Sequence, residues 1–270
     1  MAFIQLSGVS VAFGDRDVLK DINFNLDTGS RIALAGPNGS GKSTLMKVMA
    51  GLQRADSGER VIQKETRVAY LPQSGITHRS ATLLEEAEQA YAPLHDLVVR
   101  KEALETRLGQ TTEHDPETEA LLIEHHEIQE HLLAADFYQR AEVIGNVLEG
   151  LGFSPDDRGR ETAEFSGGWQ MRIALAKVLL EKPDILLLDE PTNYLDIEAR
   201  SWLESWLQRF RGGYIIVSHD RYFLDVTVSE VAELWSGSLK RFKGNYTVYE
   251  RAHEQELEAL VSRYEAQQAE

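Results

Sequence analysis

The sequence has no cysteine among its 270 residues, which excludes disulfides and thiolate metal sites. It has no apolar run near the ~18 residues that a membrane-spanning helix needs. Its start, Met1-Ala2-Phe3-Ile4-Gln5-Leu6-Ser7, lacks a basic stretch ahead of an apolar one, so it does not read as a signal peptide. Basic residues are scarce: 28 Lys and Arg face 44 Asp and Glu, a net charge of −16. That balance argues against close contact with nucleic acid, whose binding depends on neutralising phosphates. These absences are those expected of a cytoplasmic protein.

The acidic surplus is uneven. Between Thr82 and Gly150 stand 16 acidic and 4 basic residues, a net of 12 negative charges, so the rest of the chain is only mildly acidic. The same stretch is rich in Leu, Ala and Glu and has no strand-like run. It predicts a helical subdomain over 83–150, with helices over Thr82–Leu108 and Glu117–Leu148 and a break at Gly109–His114. Asp115-Pro116-Glu117 is a helix start signal: a capping residue, a proline at the first helical position and an acid in the first turn. Solvated helix faces account for the charge.

The flanking parts, 1–82 and 151–248, read as one α/β core. Phe3 to Val11 and Ile22 to Leu26 alternate as half-buried strands do. Arg31 to Ala35 is a short apolar run of the kind found in buried parallel strands, and Thr44 to Ala50 places Leu45, Val48 and Met49 on one helical face. Arg67 to Leu71 makes a further strand. Ile185 to Glu190 and Tyr214 to His219 are apolar runs that end in polar residues, at the strand edge where open α/β sheets bind ligands. Ser236-Gly237-Ser238 is a hairpin turn. From Tyr249 the pattern is helical, with Leu257, Leu260, Val261 and Tyr264 on one face, and it reaches Glu270 without a stop signal. The stretch 249–270 is therefore expected to be the start of a longer linker helix.

Gly36-Pro37-Asn38-Gly39-Ser40-Gly41-Lys42-Ser43, followed by Thr44, fits G-x-x-x-x-G-K-[ST] between a strand and a helix. Small residues let backbone N–H groups converge on phosphates, and the helix N-terminus adds partial positive charge. Lys42 is expected on the β- and γ-phosphates and the Ser43 hydroxyl on Mg2+. Asp189 and Glu190, at the end of their strand, can hold the Mg2+ shell and polarise a water against the γ-phosphate.

Phe165-Ser166-Gly167-Gly168-Trp169-Gln170 resembles the signature sequence of ATP-binding cassette (ABC) proteins, 19 residues before the Ile185 strand when counted from Ser166. Other motifs of that family follow in order. Phe13 lies 23 residues before Gly36, as does the aromatic that stacks on adenine. Gln73 matches the Q-loop glutamine, Asn193-Tyr194-Leu195-Asp196 the D-loop, and His219 the switch histidine. The resemblance implies an α/β P-loop NTPase core with an antiparallel β subdomain and an inserted α-helical subdomain. It implies an ATPase that uses ATP and Mg2+, with Ser43, Gln73 and Asp189 near the metal and Glu190, Gln73 and His219 at the attacking water. It also implies that Ser166, Gly167 and Gly168 cap the γ-phosphate of an ATP held by a second cassette. Two positions depart from the family pattern: Phe165, where leucine is commoner, and Trp169, where transporters carry glutamine. Neither removes the hydroxyl or the N–H groups on which the contact depends.

Two classes of cassette remain. The segments 166–172, 189–196, 218–225 and 242–249 resemble soluble ABC-F proteins, which implies an amino-terminal cassette of a translation factor that binds the ribosome and tRNA through parts outside this chain. The alternative is the nucleotide-binding subunit of a membrane transporter.

Overall fold

The computed structural model describes residues 3–74, 81–110 and 116–268. The chain divides into two compact units, one formed by 1–75 with 183–270 and the other by 76–182.

The first unit holds two sheets. Strands β1 (Phe3–Phe13), β2 (Arg16–Asp27) and β4 (Ser57–Ile62) form an antiparallel sheet in the order β2-β1-β4. The second sheet has six strands: β3 (Arg31–Ala35), β5 (Val68–Leu71), β6 (Ile185–Asp189), β7 (Gly213–Val217), β8 (Glu230–Trp235) and β9 (Ser238–Lys243). Their order is β5-β6-β7-β3-β8-β9, all parallel except β9. Every residue of β6 and β7 is buried, which is why both read as unbroken apolar runs. Helix α1 (Lys42–Ala50) packs Leu45, Met46, Val48 and Met49 into a core shared with Ile32, Leu187 and Ile215. Because β3, β6 and β7 run the same way, their carboxyl ends present Gly36, Asp189 and Ser218 along one edge.

Helices α7 (Ile197–Arg209) and α8 (Arg221–Thr227) complete the first unit with α9 (Tyr246–Gln268). Asp196 caps α7 by accepting from Ala199 N at 2.9 Å, and Asp220 caps α8 by accepting from Phe223 N at 3.0 Å. The first turns of α9 are fastened to the sheet. The Tyr249 hydroxyl donates to Glu233 Oε1 at 2.7 Å, His253 Nδ1 lies 3.0 Å from the same oxygen, and Thr247 N donates to Asp225 Oδ1 at 2.7 Å. The side chains of Leu257, Leu260, Val261 and Tyr264, expected on one face of α9, lie outside the described residues.

The second unit is helical: α2 (Leu83–Glu88), α3 (His95–Leu108), α4 (Pro116–Ala134), α5 (Arg140–Gly150) and α6 (Gly167–Leu180). Thr82 opens α2 with a reciprocal capping box to Glu85. The helix expected over 117–148 is interrupted, because Asp136 takes a left-handed φ of 52° before α5 begins. Pro116 does open α4, while Asp115 and most of the expected break at Gly109–His114 lie outside the described residues. The unit also extends past the boundary at 150 drawn from composition. Helix α6 buries ten residues and packs against α2 and α5, so its apolar sequence belongs with the acidic helices rather than with the sheet.

Candidate functional site

The turn after β3 is shaped by glycines with φ of 142° at Gly36 and 105° at Gly41. A Cβ on Gly36 would stand 2.4 Å from the Leu234 carbonyl oxygen, and one on Gly41 would stand 2.5 Å from Val18 Cγ1. A side chain at either position would clash with these neighbours and would have to adopt a φ that residues other than glycine rarely take. Lys42 folds back and donates to the carbonyl oxygens of Gly36 at 2.8 Å and Pro37 at 3.1 Å. Burial lowers its pKa from the ordinary lysine value, and the neighbouring carboxylates of Asp189 and Glu190 pull it partly back.

Beside Lys42, the Ser43 hydroxyl donates to Asp189 Oδ2 at 2.6 Å. Asp189 and Glu190 are 3% and 5% exposed at the end of β6. Glu190 has a left-handed φ of 55°, and its N–H donates to Val217 O at 2.8 Å. A non-glycine residue in that conformation is strained, and such strain persists where the surroundings fix it. Glu190 Oε1 lies 3.3 Å from His219 Nε2, while Oε2 is buried with no hydrogen-bond partner. Burial raises the Glu190 pKa above the usual carboxylate value; His219 opposes the shift and Asp189 adds to it.

These groups line a cavity of about 520 Å3 together with Phe13, Asn38, Gly39, Gly41, Thr44 and Gln73. Phe13 is 56% exposed at the end of β1, so one face of its ring is available for stacking. Gly36, Pro37 and Ser40 complete the same turn, where the Ser40 hydroxyl is buried without a partner and its N–H donates to Pro37 O at 3.2 Å. Arg16 also lines the cavity and donates through Nη2 to Gly39 O at 3.0 Å, and Val18 lines it as well. Arg16 and Val18 were not marked by the sequence, because neither belongs to a spaced motif. Ser166, Gly167 and Gly168 are elsewhere: they open α6 in the second unit, where the exposed Ser166 is the N-cap and its hydroxyl makes no capping hydrogen bond.

The oxygens of Ser43 and Asp189 are donors suited to a hard cation such as Mg2+, and the unpartnered Glu190 oxygen beside them suits a water. The residues present fit Mg2+ with ATP.

A family model described as ABC transporter matches residues 19–193. The chain belongs to this family. As an ABC cassette it has the family's fold and its ATP-binding loop, and ATP binding and hydrolysis are the family's chemistry. The cassette is 34% identical over 271 residues to the Bacillus subtilis protein YfmM, an uncharacterized ABC transporter ATP-binding protein, covering 100% of this chain and 52% of the relative. It is 34% identical over 266 residues to Arabidopsis thaliana ABC transporter F family member 5, covering 98% of this chain and 38% of that one. Kinship with F-type cassettes, implied by the motifs, thus runs along the whole chain, which spans about half the length of these relatives or less. Among solved structures, a dimeric bacterial ABC transporter cassette superposes with a TM-score of 0.62 at 20% identity, over 89% of this chain and 98% of that one.

Proposed function

We propose that the cassette binds Mg-ATP in the 520 Å3 cavity and hydrolyses it when paired with a second cassette. Phe13 stacks on adenine, the N–H groups of Asn38 to Thr44 hold the phosphates in the turn that Gly36 and Pro37 begin, and Lys42 neutralises the β- and γ-phosphates. Ser43, Asp189 and Gln73 would hold Mg2+, which would supply neutralisation of phosphate charge. Glu190 takes the proton of the attacking water, and His219 holds the γ-phosphate and the water in line. Ser166, Gly167 and Gly168 close over the γ-phosphate of the partner's ATP.

The observation that carries this reading is the Glu190 carboxylate. One oxygen is held beside His219, the other is buried and unpartnered, and burial raises the pKa of the group above the usual carboxylate value. A similar cassette that forms a dimer supports the pairing.

The partner of the whole protein is, on this reading, the ribosome, as for soluble ABC-F translation factors. F-family relatives that align over 98% of the chain favour it over a transporter subunit. No helix among the described residues is long and apolar enough to cross a membrane. The test is co-sedimentation of the Glu190→Gln protein, in its natural full length, with ribosomes in ATP. Association that requires ATP supports the ribosomal role. Recovery in membranes, with none on ribosomes, overturns it in favour of the transporter reading.

A further inference from the structure

The signature motif of this cassette departs from the family pattern at Phe165 and Trp169, the residues on either side of Ser166-Gly167-Gly168. Both departures are aromatic, and both rings turn onto a third. Phe153 lies 5.7 Å from Phe165 and 4.8 Å from Trp169 between ring centroids, and Phe165 lies 6.4 Å from Trp169. These are edge and tilted geometries at distances where aromatic pairs attract beyond their buried area.

Phe153 is brought there by the end of α5. Gly152 takes a φ of 92°, Gly152 N donates to Glu149 O and Phe153 N donates to Leu148 O, each at 3.0 Å. This left-handed glycine stop sends the chain back across the helix end and buries the Phe153 ring. Two guanidinium groups close the cluster: Arg160 stands 4.4 Å from the centroid of Phe165, and Arg172 stands 4.5 Å from that of Trp169. Arg160 is itself held by Asp157 at 2.6 Å and Glu164 at 3.3 Å, and Arg172 donates to Leu151 O at 2.9 Å. Gln170 donates to Thr162 O from the next position of α6.

We propose that Phe153 and Arg160 are positioning residues for the signature motif. They fix the chain on both sides of Ser166, so that the exposed hydroxyl and the first N–H groups of α6 hold one geometry before any phosphate arrives. The N–H groups at the start of a helix have no partner within the helix, and the hydroxyl is not spent on capping. A rigid turn therefore lowers the ordering cost of closing over a partner's γ-phosphate. This inference rests on the paired-site reading above and deepens it.

The experiment compares Phe153→Leu, Arg160→Gln, Arg160→Lys and Ser166→Ala with the wild-type chain. Arg160 is solvent-accessible, so its variants keep the fold if Phe153→Leu does not. Hydrogen exchange should accelerate by up to about tenfold at the Phe165 amide, which donates to Thr162 O at 3.3 Å, and at the Gln170 amide, which donates to Ser166 O at 2.9 Å, in Phe153→Leu and Arg160→Gln, the equivalent of one lost aromatic or cation–π contact. Exchange elsewhere in α5 and α6, and affinity for a fluorescent ATP analogue, should be unchanged. Turnover at high protein concentration should fall in both, with Arg160→Lys restoring it by keeping a cation over Phe165. Unchanged exchange at both Phe165 and Gln170, or a uniform acceleration through the whole unit, overturns the proposal. Loss of turnover in Ser166→Ala but in neither positioning variant overturns this inference alone. Unchanged turnover in Ser166→Ala overturns the paired-site reading and this inference with it.

Discussion

Glu190 Oε1 lies 3.3 Å from Nε2 of His219, one group 3% exposed at its side chain and the other 72%. A buried carboxylate is thus joined to solvent by an exposed imidazole, in the cavity proposed for ATP. Glu190→Gln keeps the shape and removes the base. ATP binding should persist while turnover falls about 10²–10⁴-fold, the range of general-base contributions. Binding of a fluorescent ATP analogue and phosphate release measure the two separately.

The same burial sets a pH dependence. A base acts only when deprotonated, and burial moves the Glu190 pKa up from the usual carboxylate value. Turnover should therefore rise with pH through a limb that lies above the ordinary glutamate range, and fall as acid protonates Glu190. The residual activity of Glu190→Gln should lack that limb. A wild-type profile that lacks this limb, or a Glu190→Gln profile that keeps it, would remove Glu190 from the role.

Lys42 makes a different contribution, because it holds the loop as well as lining the cavity proposed for ATP. Its ammonium donates to Gly36 O and Pro37 O and so ties the start of the loop to the helix that follows. Lys42→Ala should weaken ATP binding by about 10- to 100-fold, in line with the ~1.5–3 kcal/mol of charge-assisted hydrogen bonds. Isothermal titration reads the affinity, and circular dichroism should show an intact fold.

How much of this was legible in the sequence differed by element. β3 was read with its bounds, and β6 and β7 nearly so, because a strand covered on both faces is an uninterrupted apolar run. The turn at Ser236 and Gly237 was legible through its residues, which adopt φ of 50° and 81°. β1 and β2 proved longer than their alternation indicated, since register shifts between Leu6 and Ala12 break the period of two. β4 carried no signal at all: in Ser57-Gly58-Glu59-Arg60-Val61-Ile62 no residue is fully buried. α9 starts three residues earlier than its apolar pattern, because Asn245 caps it by accepting from Val248 N at 3.1 Å. At the site, motif residues were readable because their chemistry demands fixed spacing. Arg16 was not, because its hold on Gly39 O arises only when the β1–β2 hairpin meets the loop.

The fastening of α9 gives a stability prediction. Tyr249→Phe removes the hydroxyl that donates to the buried Glu233 carboxylate and leaves His253 as its remaining bond among those described. The ring contacts with Phe242 at 5.1 Å and His253 at 5.6 Å should survive. The expected loss is ~1–3 kcal/mol, the cost of an underbonded buried polar group. Urea unfolding followed by circular dichroism measures it, and an unchanged midpoint would show that the bond does not anchor the helix.

The last prediction concerns the cassette by itself. Its ATP cavity is built within the first unit, whereas Ser166, Gly167 and Gly168 open a helix of the second. If the signature serves a partner's nucleotide, a lone chain should bind Mg-ATP and hydrolyse it very poorly at low concentration. Two copies can still close head to tail, because each carries both halves of a site. Their net charge of −16 opposes the approach, and bound ATP adds more negative charge. Added salt screens that repulsion, with a Debye length near ~8 Å at physiological ionic strength, so salt should promote pairing rather than weaken it. Specific activity should therefore climb with protein concentration, and the Glu190→Gln form should sediment as a dimer with ATP and as a monomer without it. Fast turnover that is independent of concentration, from a demonstrated monomer, would mean that one chain completes its own site, and the paired mechanism would have to be abandoned.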